Sequence, residues 1–270
     1  YSPANIKWKG CVEARIRPDD GSDHTEKAED PPGIRLFRPY FYPESRLDPG
    51  DDRDNAWSMS TPQSEDADNN GGRGPNIGCA DPIQPLTASK TTIQTAIDAM
   101  TVWNYGGTAI KLGLAWGWRA ISPQWKGLWS AATPNLPLDY DEPNMDKAII
   151  LLTDGVQRFY SQSPGHPDRG YNSHGRIEWE RLHDLDGPID QPGEGEDELD
   201  RRLEILCEKV KEKGILLYTI VLQENDADLQ NLFRNCASQP EYYFESPTSA
   251  QLEGIFETIA NDLATLRIAE

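Results

Sequence analysis

At 270 residues the chain is long enough to bury a core without staples, as one large domain or two small ones. Its 45 acidic residues outweigh 26 basic ones, and the net charge of −19 excludes the basic face that nucleic acid or an anionic membrane surface requires. The longest uninterrupted apolar run, Ile215 to Leu222, falls far short of the ~20 residues of a membrane helix. No initiator Met and no signal peptide are visible, so the chain reads as cut from something longer.

Residues 1–88 are rich in turn formers, among them Asp30-Pro31-Pro32-Gly33 and Asn69-Asn70-Gly71-Gly72. Only Ile34 to Tyr42 has strand character, and Pro39 interrupts it, so this part reads as an irregular insertion region. From Ser89, a capping residue, a helix is expected with Ile93, Ile97 and Met100 on one face. Thr108 opens the next expected helix, with Ile110, Leu114, Trp118 and Ile121 on one stripe. Ala109, Leu112, Trp116 and Ala120 fill a second stripe, so burial on two sides is expected.

Ala148 to Leu152 is a short continuous apolar run, the pattern of a central parallel strand covered on both faces. A polar insertion over 156–198 follows. Leu199, Leu203, Leu206 and Val210 then mark a helix closed by Gly214, and Ile215 to Leu222 a second buried strand. A short helix at Leu229–Phe233, a third strand at Tyr242–Phe244 and a long last helix opened by Thr248 and Gln251 complete the series. Alternating strands and helices predict an α/β fold with a parallel sheet over 89–270.

Asp154 stands immediately after the first of these strands, in Leu151-Leu152-Thr153-Asp154-Gly155. That is the carboxyl edge of the sheet, where open α/β sheets bind ligands; a strand-ending Asp also caps its own turn, the plainer explanation. Gly106-Gly107-Thr108 places a hydroxyl beside the free N–H groups of a helix start, which an ordinary Thr N-cap equally explains. Together Thr108 and Asp154 are two hard oxygen ligands of the kind Mg²⁺ accepts, two of the six an octahedral ion needs. His166, His174 and His183, with Asp168, Asp184 and Asp186, match no short metal-ligand spacing and read as a solvated loop. The acidic clusters at 48–54, 65–68 and 184–190 match no twelve-residue EF-hand loop for Ca²⁺ and read as solvated surface. Trp103, Trp116, Trp118, Trp125 and Trp129 crowd one region and read as packing rather than a carbohydrate platform.

The Thr108 loop and the Thr-Asp-Gly strand end resemble two of the three parts of the metal-ion-dependent adhesion site of the von Willebrand factor A (vWA) fold. Several ordered stretches are more specific: Gly10-Cys11-Val12-Glu13-Ala14-Arg15, Gly74-Pro75-Asn76 before Cys79, Trp116-Gly117-Trp118-Arg119, Lys147 to Gly155, and Cys236-Ala237-Ser238. With them the chain is similar to the C-terminal part of TadG-like pilus-assembly proteins of the tight-adherence (Flp pilus) system. The resemblance implies a vWA-like (Rossmann-like) sheet with helices on both faces, incomplete at its N-terminal side. It implies a non-enzymatic role in pilus assembly or adhesion in the bacterial cell envelope, periplasmic or at the outer surface. Other pilus-assembly or envelope proteins would be the partners, and a membrane anchor would lie upstream. The chain holds no Asp-x-Ser-x-Ser, so the resemblance leaves Thr108 and Asp154 as half of a Mg²⁺ site, and Gln157 stands where relatives carry Asn. Without the first strand of such a sheet, Ala148 to Leu152 would be an open edge, or an edge covered by another segment.

Four cysteines, at 11, 79, 207 and 236, allow three disulfide connectivities. Cys207 and Cys236 lie on consecutive crossover helices that share a sheet face, and Cys11 and Cys79 bracket the irregular region, so 11–79 and 207–236 are expected. Two other functions compete with an adhesion module. One is a hydrolase using Asp154, against which the chain shows no GxSxG, P-loop or HExxH. The other is a calcium-stabilised structural domain.

Overall fold

Apolar runs in the second half of the chain become strands, and the periodic stripes between them become helices. In chain order the elements are α1 (Lys90–Asp98), α2 (Ile110–Ile121), β1 (Ala148–Thr153), α3 (Pro192–Lys211), β2 (Leu216–Leu222), α4 (Ala227–Cys236), β3 (Tyr243–Ser246) and α5 (Ser249–Leu266). The computed structural model describes residues 8–15, 29–30, 37–42, 75–76, 78–101, 107–159, 173–179, 181–183, 187–189, 191–246 and 248–266. Two compact units are present. The first comprises Tyr1–His24, Pro32–Gly107 and Arg158–Glu196, and the second Thr25–Pro31, Thr108–Gln157 and Asp197–Glu270. Most of the polar stretch expected to interrupt the α/β domain thus groups with the amino-terminal unit.

The second unit is an α/β sandwich on a three-stranded parallel sheet of order β1-β2-β3. Ala148 pairs with Leu216 and Thr153 with Val221, while Thr219 pairs with Tyr243 and Leu222 with Ser246. β2 lies in the middle because all seven of its residues are apolar or self-satisfied. Its two buried hydroxyls are both satisfied: Thr219 donates to the Phe233 carbonyl at 2.8 Å and Tyr218 to Asp262 at 2.6 Å. One sheet face is covered by α2, α3 and α4, with Leu114, Trp118, Leu203, Leu206, Leu217 and Phe233 at the centre of that core. The other face is covered by α5, whose Ile259 packs with Tyr218, Ile220 and Tyr242. Helices therefore lie on both faces.

β1 is not the doubly covered central strand that its apolar run alone suggests but the edge strand that the resemblance implies. It is the sheet edge: Ile149, Leu151 and Thr153 face the α2–α4 core, while Ile150 and Leu152 stay 38% and 39% exposed on the other face. The α5 layer rests on β2 and β3. Helix α2 buries Ile110, Leu114 and Trp118 and leaves its second stripe, Leu112 and Trp116, half-buried. Trp116, Trp125 and Trp129 pack on one another with ring centroids 5.5–6.2 Å apart, and the Arg119 guanidinium lies 4.5 Å from the Trp116 ring. A buried carboxylate, Glu29, accepts from Gln124 Nε2 at 2.7 Å and Ser122 Oγ at 3.3 Å, and its backbone carbonyl accepts from Trp125 Nε1 at 2.7 Å. Cys207 on α3 and Cys236 on α4 are bonded, with Cα atoms 5.2 Å apart.

Among the described residues, the first unit holds a short antiparallel pairing. Val12 and Pro39 form a bridge flanked by Glu13 N–H to the Arg38 carbonyl and Tyr40 N–H to the Cys11 carbonyl, both 2.9 Å. Proline fits there because its missing N–H is not called on. The Cys11–Cys79 disulfide, with Cα atoms 5.7 Å apart, packs against Tyr40 and Tyr42. Glu13 is buried and ion-paired to Arg181 at 2.7 Å. Helix α1 begins where expected, with Ser89 Oγ accepting from Thr92 N–H at 3.2 Å, yet it buries no residue: Ile93, Ile97 and Met100 are exposed. His166, Asp168, Asp184 and Asp186, and the acidic clusters at 48–54 and 65–68, lie outside the described residues. His174 is buried with Ser173 Oγ 3.1 Å from its Nδ1.

Candidate functional site

The carboxyl ends of parallel strands and the amino ends of the helices packed on them share one rim. Two hydrogen bonds establish this for β1 and α2. At one end Lys111 N–H, in the first turn of α2, donates to Gln157 Oε1 at 3.2 Å, four residues past the end of β1. At the other, Lys147 Nζ, just before β1, donates to the last carbonyl of α2, on Ile121, and to Leu138 O, both at 2.6 Å. Twelve helical residues span about 18 Å and six strand residues about 20 Å, so helix and strand match in length and run antiparallel. Thr108, two residues before α2, and Asp154, one residue after β1, consequently lie at the same rim.

Thr153 shapes the turn that presents Asp154. Its hydroxyl donates to the Gly155 carbonyl at 2.8 Å and accepts from the Gly155 N–H at 3.4 Å. Asp154 itself is exposed, and its carboxylate makes no hydrogen bond or ion pair among the described residues. Thr108 is half-buried. It is not the helix cap: α2 starts at Ile110 with Ala109 at the N-cap, and alanine offers no side-chain acceptor. Gly107, with φ of +71°, turns the chain into this position, a conformation that glycine adopts freely.

Gln157 does what Ala109 cannot. Its Oε1 takes an N–H that has no partner inside the helix, and its Nε2 donates to Asp200 Oδ1 on α3 at 2.8 Å. The side chain is 2% exposed. One amide thus ties the Asp154 loop to α2 and to α3. Sequence reading noticed Gln157 only as a variant of Asn; the useful signal was an alanine at a helix start, which requires an acceptor from elsewhere in the fold.

Further along the same edge, a cavity of about 190 Å³ lies at the ends of β2 and β3, lined by Val221, Gln223, Glu224, Asn225, Gln230, Glu245 and Ser246. Glu245 is held by Tyr243 Oη at 2.7 Å and Arg234 at 3.2 Å. Burial and this bond to a carboxylate push the Tyr243 phenol well above its ordinary pKa. Among the described residues no three His, Cys, Asp or Glu side chains converge as a metal cluster. The Thr108 hydroxyl and the Asp154 carboxylate are two hard oxygen donors at this rim, which suit a divalent cation as a partial set.

No family model and no curated protein matches the chain. Similar solved structures include the vWF domain of the type V pili tip protein Mfa5 from Porphyromonas gingivalis, at 15% identity and a TM-score of 0.45, over 68% of this chain and 76% of that one. The pilus adhesin SpaC from Lactobacillus rhamnosus GG is similar at 19% identity and a TM-score of 0.41, over 67% of this chain and 22% of that one. Proximal thread matrix protein 1 from the mussel byssus is similar at 20% identity and a TM-score of 0.33, over 66% of this chain and 29% of that one. Against SpaC and the byssus protein, the chain spans less than a third of the neighbour's length.

Proposed function

We propose that this chain is a non-enzymatic adhesion or assembly module of the bacterial cell envelope, of the TadG-like kind in an Flp-type pilus system, with a vWA-type cation-dependent contact at the β1–α2 rim. The observation that supports this reading is the Lys111–Gln157 hydrogen bond, which ties the segment after β1, with Asp154, to the start of α2, near Thr108. Thr108 and Asp154 would hold Mg²⁺, and the cation would supply a Lewis-acidic contact for an oxygen ligand of a partner protein. With only two protein oxygens, most of the ion's coordination would fall to water, and the site in this chain would be weak.

Calorimetric titration with Mg²⁺ and Mn²⁺ tests it. Weak binding that disappears in both Asp154→Ala and Thr108→Ala supports the reading. A Ca²⁺-induced rise in melting temperature that survives Asp154→Ala replaces it with a calcium-stabilised structural domain. Turnover of phosphoesters that depends on Asp154 replaces it with a hydrolase.

A further inference from the structure

Val221 and Glu245 are paired across β2 and β3, so their side chains share one sheet face, the face that α4 covers. Past the last pair, Leu222 with Ser246, the chain leaves the sheet at Gln223, whose φ of +56° is the left-handed conformation that residues with a Cβ rarely hold. Gln223 N–H donates to the Ser246 carbonyl at 2.9 Å, and this turn borders the cavity of about 190 Å³ between the β2–α4 loop, α4 and β3. Pockets for drug-sized molecules run to roughly 300–1,000 Å³, so this one takes a single side chain or a group of that size.

The lining decides the chemistry of that group. Glu245 Oε1 accepts from Tyr243 Oη at 2.7 Å and from Arg234 at 3.2 Å. Glu224 Oε1 accepts from the backbone N–H groups of Asn225 and Asp226, at 2.9 and 3.2 Å. The Oε2 atom of each carboxylate makes no hydrogen bond or ion pair among the described residues. Gln230 donates its Nε2 to the Glu224 carbonyl at 3.2 Å, and Ser246 donates its hydroxyl to the Thr248 carbonyl at 2.8 Å. Gln230 Oε1 and Ser246 Oγ therefore remain as acceptors. With Asp226 and Asp228 alongside, four carboxylates are set against one guanidinium, on Arg234. The half positive charge of the α4 start does not offset this, because Asp226 already takes the Leu229 N–H at 2.9 Å.

We propose that this cavity binds a primary ammonium group on a short alkyl chain, such as a lysine side chain or a free amine carries. An ammonium has three rotatable N–H donors and needs one oxygen from each acceptor, which Glu224 Oε2, Glu245 Oε2 and Gln230 Oε1 supply. Val221 gives its methylenes an apolar wall. A guanidinium fits less well: its fork binds both oxygens of one carboxylate, and here one oxygen of each is already taken. Among the described residues no third His, Cys, Asp or Glu converges to complete a divalent-cation site. The cavity uses neither Thr108 nor Asp154 and stands apart from the cation reading.

The test is an NMR titration of the intact chain that follows the amides of Gln223, Glu224, Asn225 and Ser246 and the side-chain amide of Gln230. It is run with EDTA, so that the cation reading has no part in it, and at about 0.15 M salt, where screening over about 8 Å suppresses loose attraction to an acidic surface. The probes are n-butylammonium and the peptide Gly-Gly-Lys-Gly-Gly, with arginine and norleucine peptides of the same length as controls. Saturable shifts at those amides are expected from the ammonium probes, with the arginine peptide weaker by about fivefold or more. Glu224→Gln and Glu245→Gln each keep the Oε1 acceptor and remove the charge, so each should weaken binding by about tenfold at an unchanged melting temperature. Binding of n-butylammonium without the lysine peptide assigns the site to free amines; binding of both assigns it to a lysine of a partner protein. Three results overturn the proposal: no saturable shift, an equal response to the arginine or norleucine peptide, or wild-type affinity in the double glutamine variant. The last would put the ammonium elsewhere on the acidic surface. Where a variant melts lower, the peptide comparison on the wild-type chain decides by itself.

Discussion

Replacing Gln157 by alanine isolates the contact that aligns the rim. The substitution removes the acceptor of Lys111 N–H and the donor to Asp200, at a side chain 2% exposed. A buried N–H left unsatisfied costs about 1–3 kcal/mol, and a hydrogen bond to a charged group contributes roughly 1.5–3 kcal/mol. Because the space vacated admits some water, the sum is discounted to about 2–4 kcal/mol. For a unit of this size that lowers the melting temperature by roughly 5–15 °C, read by calorimetry on the transition of the sheet-bearing unit. Gln157→Glu provides the signature that plain loss of packing would lack. It keeps an acceptor for Lys111 but sets a second carboxylate beside Asp200, and two carboxylates in contact raise each other's folded pKa. Stability of that variant should be near wild type below about pH 4 and decline as pH rises through the raised carboxylate range. An alanine variant within about 0.5 kcal/mol of wild type, or a glutamate variant with an unaltered pH profile, would refute the assignment of Gln157 as the tie between α2, α3 and the Asp154 loop.

Two further outcomes follow from the packing of the same unit. Tyr218 is buried and donates to Asp262 at 2.6 Å; burial first and that bond second raise its phenol above the ordinary value of 10.0, so its contribution to stability is complete below about pH 10 and is lost as pH rises further. Tyr218→Phe should remove about 1.4 kcal/mol per pH unit from the alkaline slope of chemical-denaturation stability, and an unchanged slope would show that another group sets it. The Cys207–Cys236 bond closes a 29-residue separation, for which loop entropy gives about 3.5 kcal/mol; the double Cys→Ala variant should lose an amount of that order in urea, and a loss near zero would mean that packing of α3 on α4 already restricts the unfolded chain.

Much of the fold was legible because its signals are local. The apolar Leu216–Leu222 run, the Leu229–Phe233 segment of α4, and the stripe of Leu252, Ile255 and Ile259 on α5 each announce their element within a turn or two of sequence. The candidate site was half legible. Asp154 after an apolar run and Thr108 near a helix start can be read directly, but the periodicity that opens the helix at Thr108 runs two residues ahead of its start at Ile110. Gln157 was missed because its two partners lie 46 and 43 residues away.

What the amino-acid sequence determined by itself was the type and order of the elements and the acidic character of the surface, since hydrophobic period and charge count need no knowledge of neighbours. Only the tertiary structure decided that α1 leaves its apolar stripe uncovered among the described residues; that Ala148–Thr153 is an edge is already what the resemblance implies for a sheet without its first strand. A run apolar on two sides states that both sides favour burial, but what covers each side is set by segments distant in the chain or outside it. The same physics placed Gln157 under α2: a helix whose first residues lack an acceptor must borrow one, and only packing decides from where.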